Sequence, residues 1–126
     1  MTRKGHELDT AQPAEHIAKP WGEYVLFAVT SAYAGGVLLM KQGHSASLQF
    51  HRERDETLYL QAGRMMIETE DSLGTMHQYE MSPGHSVRFR PGRRHRISAL
   101  EDSVIFEVST PHVDDIVRLE DRYGRK

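Results

Sequence analysis

Short runs of alternating hydrophobic and polar residues fill most of the chain from Trp21 onward. β-Branched and aromatic residues are frequent in these runs, and Gly, Pro, Asp and Ser separate them, which is typical of β-strands joined by tight turns. No stretch before the C-terminus has the length and period of a crossover helix, so a parallel α/β fold is excluded. The expected fold class is all-β, with an antiparallel double sheet that closes into a jelly-roll barrel. The pattern predicts nine strands, at 23–30, 36–42, 46–51, 57–61, 65–70, 75–80, 86–90, 94–100 and 104–109.

The two ends of the chain depart from this pattern. Residues 1–18 are mostly polar and have no sustained period of 2 or 3.6 residues, so they are predicted to form an N-terminal arm outside the core. Residues 19–126 then make a single domain. The segment from Val113 to Tyr123 has apolar residues at helical spacing, with two Asp residues in what would be its first turn. It is predicted to form a short helix or turn packed on the barrel.

Composition narrows the classes of function. The 16 Lys and Arg residues against 18 Asp and Glu give a formal net charge of -2, which provides no general attraction to nucleic acid or to an acidic membrane surface. The chain has no apolar run of membrane-spanning length and no signal-peptide pattern, so it is expected to be cytoplasmic, with neither nucleic acid nor membrane as a partner. Because there is no Cys, a metal ion would have to be held by His, carboxylate or amide groups.

One segment presents such groups at the spacing of a strand. Gln49 and His51 alternate with Leu48 and Phe50, so the two polar side chains share one face. Glu56 opens the next predicted strand, and a hairpin would bring its carboxylate beside them. The spacing therefore predicts that ligand-type groups converge inside the barrel.

The same segment resembles the first motif of the cupin superfamily, which reads G-x5-H-x-H-x4-E-x6-G. The residues that fall on the motif, with Gln in place of its first His, are Gly43, Gln49, His51, Glu56 and Gly63. A second stretch is similar to the second cupin motif at Gly84, Gly92 and His95, although Ala99 stands at the Asn position and the Pro is displaced to Pro91. The resemblance implies the cupin double-stranded β-helix.

From Lys19 to Arg125 the chain also resembles the C-terminal cupin domain of type II mannose-6-phosphate isomerases, in a stand-alone version. The matching stretches are Lys19–Tyr24, Ser47–His51 with Arg54 and Glu56, His95–Arg96, and Asp114–Arg125. The resemblance implies a divalent metal ion held by four residues, Gln49, His51, Glu56 and His95. Two nitrogen and two oxygen donors suit Zn, Mn, Fe, Co or Ni.

The resemblance also implies roles for three further residues. Arg54 matches a family Arg and is expected to contact the substrate phosphate and to take part in catalysis. Arg96, which directly follows a ligand, is a second candidate for substrate binding. Glu107 matches a family Glu and is the candidate general base. The implied activity is aldose–ketose isomerisation of a small sugar phosphate through an enediol.

Departures from the family pattern leave other functions open. Residues 34–36 are Ala-Gly-Gly where the family tends to have basic residues, and Arg52 and Glu53 replace a His-rich run. One alternative is a cupin enzyme that acts on another sugar phosphate, a nucleotide sugar or a small carbonyl compound. The other is a non-catalytic sugar-binding module.

Several side chains of the central strands point away from the predicted site. They are Leu48, Phe50, Thr57 and Tyr59. An apolar outer sheet face needs a cover, which the N-terminal arm or a second subunit would supply. The chain is therefore predicted to form a homodimer.

Overall fold

Eleven strands make up the computed structural model, which describes residues 8–126. Their bounds are β1 Glu15–Lys19, β2 Gly22–Val29, β3 Ala34–Met40, β4 Leu48–Phe50, β5 Glu56–Ala62, β6 Met65–Glu70, β7 Met76–Met81, β8 Ser86–Phe89, β9 His95–Ala99, β10 Ser103–Ser109 and β11 Val117–Glu120. All nine predicted strands correspond to β2–β10, with each end within two residues of the predicted one.

The strands form two antiparallel sheets. One has six strands in the order β1-β2-β3-β10-β5-β8, and the other has five in the order β11-β4-β9-β6-β7. Buried and less buried positions alternate along β5, β9 and β10, so each of these strands turns one face to the interior. Apolar side chains from both sheets share one core, which includes Leu60 and Ile105 from the first sheet and Met65 and Ile97 from the second. The predicted all-β jelly-roll fold is confirmed.

The N-terminal end is more ordered than the sequence pattern predicts. Residues 15–18, predicted to belong to the arm, form β1 together with Lys19 and pair with β2. The main-chain groups on the open edge of β2 need hydrogen-bond partners, and this pairing supplies them whatever the side-chain period. Residues 1–7 of the predicted arm lie outside the described residues.

The C-terminal end is a turn and a strand. A turn at residues 113–114 leads into β11, which pairs antiparallel with β4 at the edge of the five-stranded sheet. Of the predicted helix or turn, the turn forms and the helix does not, because pairing with the open edge of β4 outweighs the weak helical spacing. Within residues 8–126 there is no helix long and apolar enough to cross a membrane.

Candidate metal centre

Three buried side chains with ligand atoms meet between the two sheets. His51 directly follows β4, Glu56 begins β5 and His95 begins β9. One ligand atom from each lies within 4.8 Å of the others. The Oε1 atom of Glu56 is 3.4 Å from Nε2 of His51 and 3.3 Å from Nε2 of His95. The structure thus brings together three of the four predicted metal ligands.

The main chain fixes the orientation of both imidazoles. Nδ1 of His51 donates to the carbonyl of Asp115, and Nδ1 of His95 donates to the carbonyl of Arg93 at 3.0 Å. Since a carbonyl only accepts, a neutral ring then has its lone pair on Nε2. Both Nε2 atoms are buried and have no hydrogen-bond partner among the described residues. Metal-binding histidines have this arrangement, so the cluster fits a divalent ion.

The charge of Glu56 also suits a metal ligand. Burial opposes its ionisation, but the two imidazoles and the guanidinium of Arg54 outweigh burial and hold the pKa of this carboxyl well below its usual range. A metal ligand has to be deprotonated. Glu56 is therefore a carboxylate at neutral pH.

Gln49 lies on the same inner face. It is the register partner of His95 on the neighbouring strand β9, so the two side chains project to the same side of the sheet. Its Oε1 atom accepts a hydrogen bond of 2.6 Å from the hydroxyl of Ser47. An amide oxygen has a second lone pair that remains available to a metal ion. Gln49 lines the cavity beside the His and Glu ligands, and its ligation stays a prediction.

Arg54 and Glu107 form a buried ion pair next to the metal centre. Nη2 of Arg54 donates to Oε1 of Glu107 at 2.6 Å and lies 3.4 Å from Oε2 of Glu56. The Tyr24 hydroxyl donates to the same Glu107 oxygen at 2.7 Å. Both residues line the cavity, as predicted. Arg54 is thus within ion-pair distance of two acidic side chains, so its guanidinium is less available for the predicted contact with a phosphate group.

The surroundings of Glu107 raise the pKa of its carboxyl group into the neutral range. Burial, followed by the negative charge of Glu56, raises the pKa of Glu107 to about 7, although Arg54 and Tyr24 act in the opposite direction. A carboxyl group with such a pKa can both accept and release a proton under physiological conditions. Glu107 therefore has the properties of a general acid or base.

Tyr24 is a further site residue, which the sequence placed only in the resembling stretch Lys19–Tyr24 and gave no role in the site. Its ring lies across Gly36, where an added Cβ would overlap the ring. Gly36 is in turn the register partner of Glu107. Gly at this position of β3 leaves room for the Tyr24 ring to reach Glu107. The sequence indicates this contact only when β2, β3 and β10 are known to be neighbours.

Arg96 does not reach the cavity. His95 and Ile97 point inward from β9, so Arg96 between them points outward, as the two-residue period of a strand requires. Its Nε and Nη2 atoms donate to the Glu68 carboxylate at 2.8 and 3.1 Å. The predicted role of Arg96 in substrate binding is corrected, because adjacency in sequence to His95 puts it on the opposite face.

The His51–Glu56–His95 cluster opens into a cavity of about 350 Å³. Its walls come from both sheets and from the C-terminal segment that follows β10. Partly exposed cationic side chains line it together with the buried groups; they are Lys19, Arg118 and Arg125. None of the three was assigned a site role from sequence, because their placement depends on β1 and β11, which were not predicted as strands.

Residues 36–109, more than half of the chain, match the family model described as the cupin domain. The chain belongs to the cupin family. Similar folds occur in KdgF from Halomonas sp., with 20% identity, a TM-score of 0.68, and coverage of 79% of this chain and 90% of that one. No curated protein matches the sequence.

Two longer cupins also share the fold. CapF, solved with the inhibitor 3-isopropenyl-tropolone, is 20% identical, with a TM-score of 0.69 over 88% of this chain and 35% of that one. Oxalate decarboxylase from Bacillus subtilis is 16% identical, with a TM-score of 0.72 over 92% of this chain and 34% of that one. This cupin therefore spans about a third of these two chains. At such identities the similarity establishes the fold, and function has to be inferred from the site.

Proposed function

We propose that this cupin is a metal-dependent isomerase of sugar phosphates, of the mannose-6-phosphate isomerase type. The observation that carries the proposal is the buried His51–Glu56–His95 cluster with Glu107 beside it in one cavity. The cavity volume of about 350 Å³ is within the range for small-molecule sites. Aldose–ketose isomerisation needs a polarised carbonyl and a nearby base, and this pair of features would supply both.

The proposed ligands of a divalent ion are His51, Glu56, His95 and Gln49. The donor set suits Zn, Mn, Fe, Co or Ni. When bound there, the ion would polarise the carbonyl oxygen of the open-chain sugar and so acidify the adjacent C–H bond.

Glu107 is the proposed base. Its carboxylate takes the proton from the carbon next to the carbonyl, which leaves an enediolate. The hydroxyl proton on that carbon then passes to the former carbonyl oxygen, and the carboxylic acid of Glu107 returns its proton to the former carbonyl carbon, which completes the isomerisation. Arg54 is a positioning residue in this scheme, because its guanidinium donates to Glu107 and lies within ion-pair distance of Glu56. The Tyr24 hydroxyl donates to the same oxygen of this carboxylate and so also holds it in place.

A second candidate function keeps the metal and the base but changes the substrate. It is favoured by the packing of Tyr24 over Gly36, since residues 34–36 are where the resembled family tends to have basic groups. A cupin with this wall would act on another sugar phosphate, a nucleotide sugar or a small carbonyl compound. Turnover of mannose 6-phosphate decides between the two candidate functions.

The test is metal analysis of the purified protein, followed by a mannose 6-phosphate to fructose 6-phosphate assay with and without chelator. We expect stoichiometric metal and chelator-sensitive turnover. His95→Ala should lose the metal, whereas Glu107→Gln should keep it and lose at least a hundredfold in kcat. Glu101→Gln, which changes an exposed carboxylate outside the cavity, should behave as wild type.

Other outcomes decide among the alternatives. Stoichiometric metal without turnover of this substrate would contradict the isomerase and favour the second candidate. Sugar binding without any metal would instead favour a non-catalytic sugar-binding module. Full activity in Glu107→Gln would remove this residue from the mechanism.

A further inference from the structure

Three cationic side chains line the cavity at some distance from the buried ligands. Lys19 ends β1, Arg118 lies on β11, and Arg125 belongs to the C-terminal segment; all three are partly exposed. Arg125 is paired with Asp121, with Nη2 to Oδ1 at 2.9 Å and Nε to Oδ2 at 3.1 Å. Within residues 8–126, neither Lys19 nor Arg118 forms an ion pair with an acidic side chain. Two of the three cations therefore have no ion-pair partner among the described residues.

Strand register places Arg118 in line with the metal centre. Arg118 is the register partner of Gln49, and Gln49 is the partner of His95. Directly opposed residues of antiparallel strands project to the same face, so the three form a row across the inner face. Two strand spacings separate Arg118 from His95 by roughly 10 Å. That is comparable with the length of an open-chain hexose phosphate.

Arg118 has hydrogen-bonding capacity that the described residues do not use. Nη1 donates to the main-chain oxygen of Lys126 at 2.9 Å. Nε is buried and has no hydrogen-bond partner in the described part of the chain. A guanidinium with an unused N–H in a cavity wall is suited to the oxygen of an anion.

Mutual repulsion gives these cations a second reason to bind an anion. Burial, together with the charges of Arg118 and Arg125, lowers the pKa of Lys19. Burial and the charge of Arg125 likewise lower the pKa of Arg118, although the charge of Asp121 acts in the opposite direction. A bound anion would remove this repulsion.

Arg54, the residue predicted to contact phosphate, is in the opposite situation. It is 8% exposed, and its Nη2 atom is within ion-pair distance of both Glu107 and Glu56. A phosphate that approached Arg54 would meet the Glu56 carboxylate and the partly ionised Glu107, and like charges at close range repel strongly in a buried site. The phosphate contact is therefore better placed elsewhere in the cavity.

We propose that Lys19, Arg118 and Arg125 bind the phosphate group of the substrate, while its sugar end lies at the metal centre. The inference rests on the proposed function, because the sugar at the metal centre determines which end of the substrate reaches these cations. The two cations without an ion-pair partner match the charge of about -1.5 to -2 on a phosphate monoester, whereas a sugar carboxylate would leave one of them unmatched. Guanidinium groups also bind phosphate oxygens in a paired geometry.

The test measures binding without turnover. Isothermal titration calorimetry on protein freed of metal and of chelator would use mannose 6-phosphate, mannuronate, mannose and inorganic phosphate as probes. We expect mannose 6-phosphate to bind, inorganic phosphate to compete with it, and mannose and mannuronate to bind at least tenfold more weakly. Arg118→Gln and Lys19→Gln should each weaken mannose 6-phosphate binding at least tenfold. Arg64→Gln, a half-exposed cation outside the cavity, is the matched control and should bind as wild type.

The contrary outcomes are distinct. Wild-type affinity in both Arg118→Gln and Lys19→Gln, or the absence of binding by any phosphorylated probe, would overturn the phosphate site. Equal binding of mannuronate would replace phosphate with carboxylate as the ligand. Thermal melts of each variant separate lost binding from lost folding, and Arg118→Lys should recover part of the affinity if charge is the cause. Phosphate binding in a protein with no isomerase activity would overturn the proposed function and leave this site standing.

Discussion

Asp121 shows how one carboxylate holds the C-terminal segment in place. Its side chain is 2% exposed, and it accepts hydrogen bonds from the main-chain N–H of Arg125 at 2.6 Å and from the guanidinium of the same residue. The guanidinium hydrogen bond is the main cause that lowers the pKa of Asp121 to about 2, against the effect of burial. The folded protein therefore favours the ionised form.

Asp121→Asn is expected to destabilise the protein in a pH-dependent way. Because the folded-state pKa lies below the ordinary Asp value of 3.8, the stabilisation is complete above that value and is lost as the pH falls through about 2. The free energy of unfolding should fall by about 1 kcal/mol at pH 7. Urea titrations followed by circular dichroism at pH 7, 4 and 3 measure this free energy of unfolding. Asp9→Asn, which changes an exposed carboxylate, is the control. A difference from wild type that stays constant over this range would contradict the assignment.

At the scale of single residues, the sequence predicts those side-chain contacts of the site that depend on local spacing. Gln49 lies on β4, His51 directly follows it and Glu56 begins β5, so their convergence follows from the two-residue period and one short connection. The contact of Tyr24 with Glu107 joins residues 83 positions apart and depends on which strands are neighbours. The predicted role of Arg96 is wrong for the opposite reason. That prediction did not take into account the two-residue period of the strand, which places Arg96 and His95 on opposite faces of the sheet.

At the scale of the strand, Gly36 on β3 is the clearest case of a residue whose type is determined by a neighbouring side chain. Both Gly35 and Gly36 lack the positive φ that would require glycine. An added Cβ at Gly36 would overlap the Tyr24 ring, which is held by Glu107 and part of the core boundary. At Gly35 the nearest contact is the ring of Phe27, 3.0 Å away, and that ring is exposed and can move.

Gly36→Ala should therefore lower the free energy of unfolding by about 1–3 kcal/mol, as overpacking does, and reduce turnover by displacing Tyr24 from Glu107. Gly35→Ala is the matched control. It should be neutral or slightly stabilising, because Ala restricts the unfolded chain. Urea unfolding and the isomerase assay on both variants provide the measurement. Equal effects of the two substitutions would show that backbone conformation, and not the Tyr24 contact, selects glycine here.

The strands that the sequence predicts and those it misses differ in where their stabilisation comes from. Strands β2–β10 have β-branched and aromatic residues bounded by turn formers, and this local signal places their ends within two residues. Strands β1 and β11 lie at sheet edges, where pairing with β2 and β4 decides the conformation. Their side-chain patterns contain no comparable signal, and the cations they contribute to the cavity could not be placed from sequence.

At the scale of the whole molecule, the six-stranded sheet has an apolar outer face. On β10 the buried Glu107 alternates with Phe106 and Val108, which are 43% and 62% exposed. Tyr59 on β5 is the register partner of Phe106, and the two rings stack with their centroids 6.1 Å apart. The same strand thus presents a proposed catalytic carboxylate inward and an apolar surface outward. Of the side chains predicted to form such a face, Tyr59 lies on it, whereas Leu48 and Phe50 belong to the five-stranded sheet.

We propose that a second copy of the chain covers this outer face, so that the protein is a homodimer. Exposed aromatic and aliphatic side chains grouped on one sheet face are typical of an interface between subunits. Analytical ultracentrifugation should give twice the monomer mass of 14.4 kDa for the wild type. Phe106→Glu should give the monomer, because it would place two charges in an apolar interface, whereas Leu119→Glu changes an exposed residue of the other sheet and should remain dimeric. A monomeric wild type, or a Phe106→Glu variant that stays dimeric, would contradict this interface. Since Phe106 and Glu107 are adjacent on β10, the monomeric variant also measures whether the dimer supports the position of the proposed base.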